Sequence, residues 1–71
     1  MELHIGHNIK RLRRARGLTQ RQMAEHLRIS TQAVSKWERG LTYPDVTLLL
    51  PIAELFCVTL DELFGRHAAE E

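Results

Sequence analysis

The chain lacks most of what a catalytic, secreted or membrane fold relies on. It has a single cysteine, Cys57, so no internal disulfide can form, which fits a reducing compartment. No apolar run approaches the roughly 20 residues that a bilayer span needs. Met1-Glu-Leu-His lacks the basic start and apolar stretch of an export signal, so a cytoplasmic protein without membrane contact is expected. No window keeps the alternation of a strand. Paired carboxylates, a glycine-rich phosphate loop and a nucleophile–base pair are all missing, so neither catalysis nor a cofactor is expected. At 71 residues the chain makes one domain at most. A core of that size supplies only about 3–5 kcal/mol, too little to support an elaborate cleft.

What is present is charge, unevenly placed. The net charge is only +1. Residues 1–40 nevertheless carry nine basic side chains against three acidic ones, or +6, and residues 41–71 carry one against six, or −5. Such a gradient suggests one half that faces a polyanion and another that faces elsewhere. The alternative for Lys10–Arg16 is a merely solvated helix face, and charge alone does not choose between them.

Helix ends are clearly marked, and the glycines and prolines read as joints between helices. Ile5, Ile9 and Leu12 recur at helical spacing, and Gly17 suits the left-handed residue after a helix end, giving a first helix over roughly 4–16. Thr19 with Gln22 is a capping box that opens a second, short helix bearing Met23, Ala24 and Leu27. Ser30 is the next N-cap, with a third helix over roughly 31–38 that buries Val34 and Trp37 and stops at Gly40. Asp45 opens a fourth, with apolar Leu48, Leu49, Ile52, Ala53 and Phe56; Pro51 inside it predicts a kink or a loose first turn. Thr59 with Glu62 caps a fifth, carrying Leu60, Leu63 and Phe64 and ending at Gly65. The expected architecture is an all-α domain of five helices over 1–65, with 66–71 as a tail or the start of a linker.

Helices two and three, separated by so short a turn, must cross steeply rather than run antiparallel. Ala24 supplies the small residue at the crossing, and Leu27, Ile29, Val34 and Trp37 pin the third helix from behind. Its outer face keeps Thr31, Gln32, Ser35, Lys36 and Arg39, hydrogen-bonding side chains with no acid among them. A glutamine pairs bidentately with adenine, and a lysine with the acceptors of guanine.

The segments Leu18-Thr-Gln-Arg-Gln-Met-Ala-Glu-His-Leu27 and Ser30-Thr-Gln-Ala-Val-Ser-Lys-Trp-Glu-Arg-Gly40 resemble the Cro/lambda-repressor-like, or Xre, family. Leu12-Arg13, Pro44-Asp45, Ile52-Ala-Glu-Leu-Phe56 and Val58-Thr-Leu-Asp-Glu-Leu-Phe64 extend the resemblance over nearly the whole chain. It implies a five-helix domain that binds double-stranded operator DNA as a homodimer, with a near-palindromic site. It also implies that Thr31, Gln32 and Lys36, with Ser35 nearby, face base edges. Phosphate contacts fall to Gln20, Arg21, Arg39, Thr42 and Tyr43, and Arg13 pairs with Glu38 to tie helix one to helix three. The sequence departs from the family at Arg28 and Cys57, where glycine is common, and at Pro51.

Other readings carry less. His4 and His7 share a helix face, but no third ligand converges with them, so no metal site is expected. Cys57 is expected to pack as a small residue. Leu60 and Phe64 either seal the core or form a dimer patch. One rival is an antitoxin or co-regulator module, whose protein partner would meet the acidic carboxyl-terminal half. A second is a binder of structured RNA.

Overall fold

The structure, a computed structural model, describes residues 4–65. The expected tail at 66–71 lies outside the described residues. Five helices follow one another: α1 (Ile5–Ala15), α2 (Gln20–Leu27), α3 (Thr31–Glu38), α4 (Val46–Phe56) and α5 (Leu60–Leu63), with no strand among the described residues. Every helix contributes to one core of Ile5, Ile9, Met23, Ala24, Val34, Trp37, Ile52, Ala53, Phe56 and Leu63. Burying each of the larger aliphatic or aromatic side chains contributes about 1.5–3 kcal/mol. Helix α3 packs on α1 and α2, α4 on α2 and α5, and α5 closes against α1.

The helix starts follow local chemistry. Thr19 and Thr59 form reciprocal capping boxes with Gln22 and Glu62, and the Ser30 hydroxyl accepts from the Ala33 amide at 3.1 Å. Asp45 accepts from both the hydroxyl and the amide of Thr47, and these bonds hold its carboxyl below the usual carboxylate range.

The first four helix ends share one device. At each, a left-handed residue donates its amide to the carbonyl three residues back, and the next residue donates to the carbonyl five back. This is the Schellman motif. Gly17 and Gly40 occupy the left-handed position after α1 and α3, but Arg28 and Cys57 occupy it after α2 and α4, with φ of 60° and 58°. Side chains there cost roughly 1 kcal/mol or more, because Cβ crowds the following carbonyl. Both positions follow the backbone pattern that glycine would adopt. Cys57 is exposed at its cap and does not pack as a small core residue.

One expectation needs correcting. Gly6 is not a joint but an interior residue of α1, buried where that helix meets α3. A Cβ there would lie 2.0 Å from the Trp37 carbonyl oxygen, so only glycine permits this approach of the two backbones. Pro51 lies inside α4, which runs from Val46 to Phe56, with the ring on the exposed side. The fifth helix seals the core through Leu63, while Leu60 is exposed and Phe64 half-buried.

Arg28→Gly and Cys57→Gly should each raise stability by about 0.5–1 kcal/mol, relief of left-handed strain outweighing the added chain entropy of glycine. For so small a domain that is a rise of several degrees in melting temperature, at about 4–8 °C per kcal/mol. A thermal melt that drops for both variants would show that the side chains contribute more than the strain costs.

Candidate nucleic-acid interface

Helix α3 is short, and its two faces have different duties. At about 100° per residue, Thr31, Ser35, Arg39, Gln32 and Lys36 fall within an arc of about 140°. Four of them are exposed and Ser35 is half-buried. Val34 and Trp37 lie on the opposite side, in the core. The side chains of Thr31, Gln32 and Lys36 make no hydrogen bond or ion pair among the described residues, whereas Arg39 folds back on the Ser35 carbonyl at 3.4 Å.

The support for this face gathers at Glu38, the last residue of α3. Arg13 Nε donates to Glu38 Oε2 at 2.6 Å and Nη2 donates to Oε1 at 3.1 Å, a two-pronged pair across α1 and α3. Both side chains are hidden, with only 10% and 3% of their surfaces exposed. The third arm of Arg13 donates to the Leu18 carbonyl at 2.7 Å, binding the α1–α2 turn into the same cluster. Gln20 Nε2 completes it by donating to Glu38 Oε1 at 3.0 Å. Burial pushes the Glu38 pKa up. The hydrogen bonds from Arg13 and Gln20, with the charges of Arg13 and Lys10, outweigh that and hold the carboxyl below its ordinary value.

The other expected contact residues are spread around this cluster. Gln20, expected at a phosphate, has its amide turned onto Glu38, leaving one amide hydrogen over. Arg21 lies one residue further along α2 and reaches Glu25 at 3.4 Å, an exposed pair that adds little stability. Thr42 and Tyr43 stand exposed in the loop after α3. Among the described residues no three His, Cys, Asp or Glu side chains converge to hold a metal ion.

Three supporting contacts are invisible to helical periodicity. Asn8, buried, donates to the Leu63 carbonyl at 3.1 Å and ties α1 to α5. Arg16 donates to the Phe56 carbonyl at 2.7 Å, placing a cation at the carboxyl end of α4. Gly6 sets the α1–α3 approach. A glycine inside an otherwise helical stretch was the one available signal, since such a residue marks either a break or a close approach.

Two helices crossing through a short left-handed turn, the second with its outer arc bare, within five helices around one core, define a lambda-repressor-like helix-turn-helix domain. The chain belongs to the Helix-turn-helix family, which it matches over residues 9–63. It is 43% identical over 63 residues to the HTH-type transcriptional activator BcrR of Enterococcus faecalis, covering 89% of this chain and 31% of that protein. It is 35% identical over 69 residues to the cryptic phage CTXphi transcriptional repressor RstR of Vibrio cholerae, covering 97% of this chain and 62% of RstR. The chain therefore spans less than two thirds of either relative. Among solved structures it resembles the P22 c2 repressor in complex with a synthetic operator, with a TM-score of 0.82 and 25% identity over 94% of this chain and all of that one. No helix among the described residues is long and apolar enough to cross a membrane.

The Glu38 carboxyl titrates lower in the folded chain than unfolded. Its contribution is therefore complete above the ordinary value of 4.5 and is lost as pH falls through the lowered one. Removing one partner of a buried pair costs about 3–5 kcal/mol, so Glu38→Ala should leave the domain largely unfolded at neutral pH. Glu38→Gln should be destabilised less and should flatten the acid limb of a urea-midpoint against pH curve. An acid limb identical to wild type would mean that Glu38 contributes nothing to it.

Proposed function

We propose that this chain is the DNA-binding unit of a transcriptional regulator, placing α3 in the major groove and reading bases through Thr31, Gln32 and Lys36, helped by Ser35. The observation that carries this reading is the bare, acid-free arc of α3, anchored from behind by Val34, Trp37 and the buried Arg13–Glu38 pair. A face with no duty inside the fold, made of side chains that match base edges, suits sequence readout. Gln20, Arg21, Arg39, Thr42 and Tyr43 flank it and serve phosphates, with Gln20 offering the amide hydrogen that Glu38 leaves over. The basic amino-terminal half supplies the attraction to the duplex.

On a near-palindromic operator two copies would present their α3 helices about 34 Å apart, which makes a homodimer the natural binding unit. Relatives named as an activator and a repressor share this domain, which fits a unit that supplies DNA binding while the direction of regulation is set elsewhere. A regulator of this kind acts without catalysis, in the cytoplasm and at the nucleoid. The acidic half from residue 41 onward is the surface left for a protein partner.

The test is a binding titration on a site selected from random duplexes, repeated on unselected duplex. Gln32→Ala should weaken binding to the selected site by about 1–3 kcal/mol, roughly tenfold to a hundredfold, and leave unselected duplex nearly untouched. Equal losses on both would reject base reading by Gln32. Competition by structured RNA that outmatches the selected duplex would reject the DNA reading in favour of RNA.

A further inference from the structure

We infer that the outer face of α4 docks a short segment of another protein, one that combines apolar side chains with lysine or arginine. This rests on the reading above that the half from residue 41 onward is left for a protein partner. The composition of the face carries it. Val46, Leu50 and Glu54 follow one another at successive turns, and Thr47 and Pro51 widen the row to an arc of about 140°. All five are exposed, Val46 by 76% and Leu50 by 57% of their surfaces. A lone exposed leucine is ordinary, but here Val46, Leu50 and the Pro51 ring share one helix face. The fold uses the opposite side of α4, where Ile52, Ala53 and Phe56 enter the core.

What polar character the face has is that of an acceptor. Pro51 has no amide hydrogen, so the Thr47 carbonyl four residues back lacks its helical donor. The Thr47 hydroxyl is committed to Asp45, and the Glu54 carboxylate makes no hydrogen bond or ion pair among the described residues. Asp45, the N-cap, puts a second carboxylate at the other end of the row, and neither α4 nor α5 carries a basic residue. An occupant must therefore cover apolar surface and bring donors with positive charge. A second copy fits badly, because whichever way two such faces pair, carboxylates meet carboxylates. The same carboxylates repel a duplex. From Val46 to Glu54 the row is about 12 Å long, enough for a few turns of a partner helix and far short of the roughly 800 Å² per partner of a stable protein pair.

The experiment selects random phage-displayed peptides on the 71-residue chain and titrates the strongest of them, made synthetically, by fluorescence anisotropy. The expected sequence mixes lysine or arginine with large apolar residues. Leu50→Ser and Val46→Ser should each weaken that peptide about tenfold. Glu54→Gln should weaken it about threefold, a difference that shrinks as salt is added. Glu25→Gln, at an exposed acid on α2, should leave peptide binding unaltered, and the melting temperature and duplex affinity of Leu50→Ser should match wild type. An acidic peptide, or one that Leu50→Ser and Val46→Ser bind as well as wild type, overturns the inference. If that peptide is instead lost with Asp61→Lys, the partner reading stands but its surface lies on α5. A wild-type dimer in sedimentation that Leu50→Ser dissolves would give the face to a second copy, and overturns the inference too. Failure to select any peptide removes this inference and the protein-partner reading together, while the duplex titration above tests DNA binding independently.

Discussion

The carboxylate of Glu38 is where the molecule is held together. It receives two bonds from Arg13 on α1 and one from Gln20 at the head of α2, while belonging itself to α3. Three helices thus converge on two oxygen atoms, and Arg13 adds the α1–α2 turn through the Leu18 carbonyl. A buried ion pair of this kind often contributes little net stability compared with an apolar substitute, because both charges must be stripped of water. Its effect lies in direction. The pair permits few arrangements, and any tilt of α3 against α1 would strand a buried charge. The glycine contact at Gly6 sets how near the helices come, and the ion pair sets how they are turned.

Much of this could be read from the residues alone, because helix ends are local events. Thr19 with Gln22, Ser30, Asp45, and Thr59 with Glu62 each announce a start within three residues of themselves, and each does so in the structure. The outer face of α3 was legible for the same reason, since periodicity sorts Val34 and Trp37 from Thr31, Gln32 and Lys36. The remainder depended on partners far along the chain. Asn8 meets a carbonyl 55 residues away and Arg16 one 40 residues away, and a backbone carbonyl leaves no trace in side-chain patterning. Gly6 was read as a joint because glycine inside a helix and glycine at its edge look the same without the neighbouring backbone. Cys57 was expected to pack as a small residue and is instead exposed at its cap, because its left-handed geometry, not its volume, governs that position.

The uneven charge acquires a spatial sense from the packing. Helices α1 to α3, with most of the basic side chains, form one group around Glu38, while α4 with its cap residue, and α5, carry Asp45, Glu54, Asp61 and Glu62 with no basic residue. Two of the basic residues are spent inside the fold, Arg13 in the buried pair and Arg16 at the end of α4. A count of charges therefore overstates what the amino-terminal half can offer a polyanion, and structural position separates the anchoring cations from the available ones.

The bare arc of α3 also bears on how such a domain changes over generations. Thr31, Gln32 and Lys36 contribute no hydrogen bond or ion pair to the fold among the described residues, so replacing them disturbs neither core nor cluster. Most exposed substitutions of that sort alter stability by no more than about 0.5 kcal/mol. On the base-reading role proposed for them, duplicated copies of the gene can drift at these three positions at little cost to folding, each acquiring a different target while the mount stays constant. On that reading, the outer arc of α3 joins freedom to change with a use for the change.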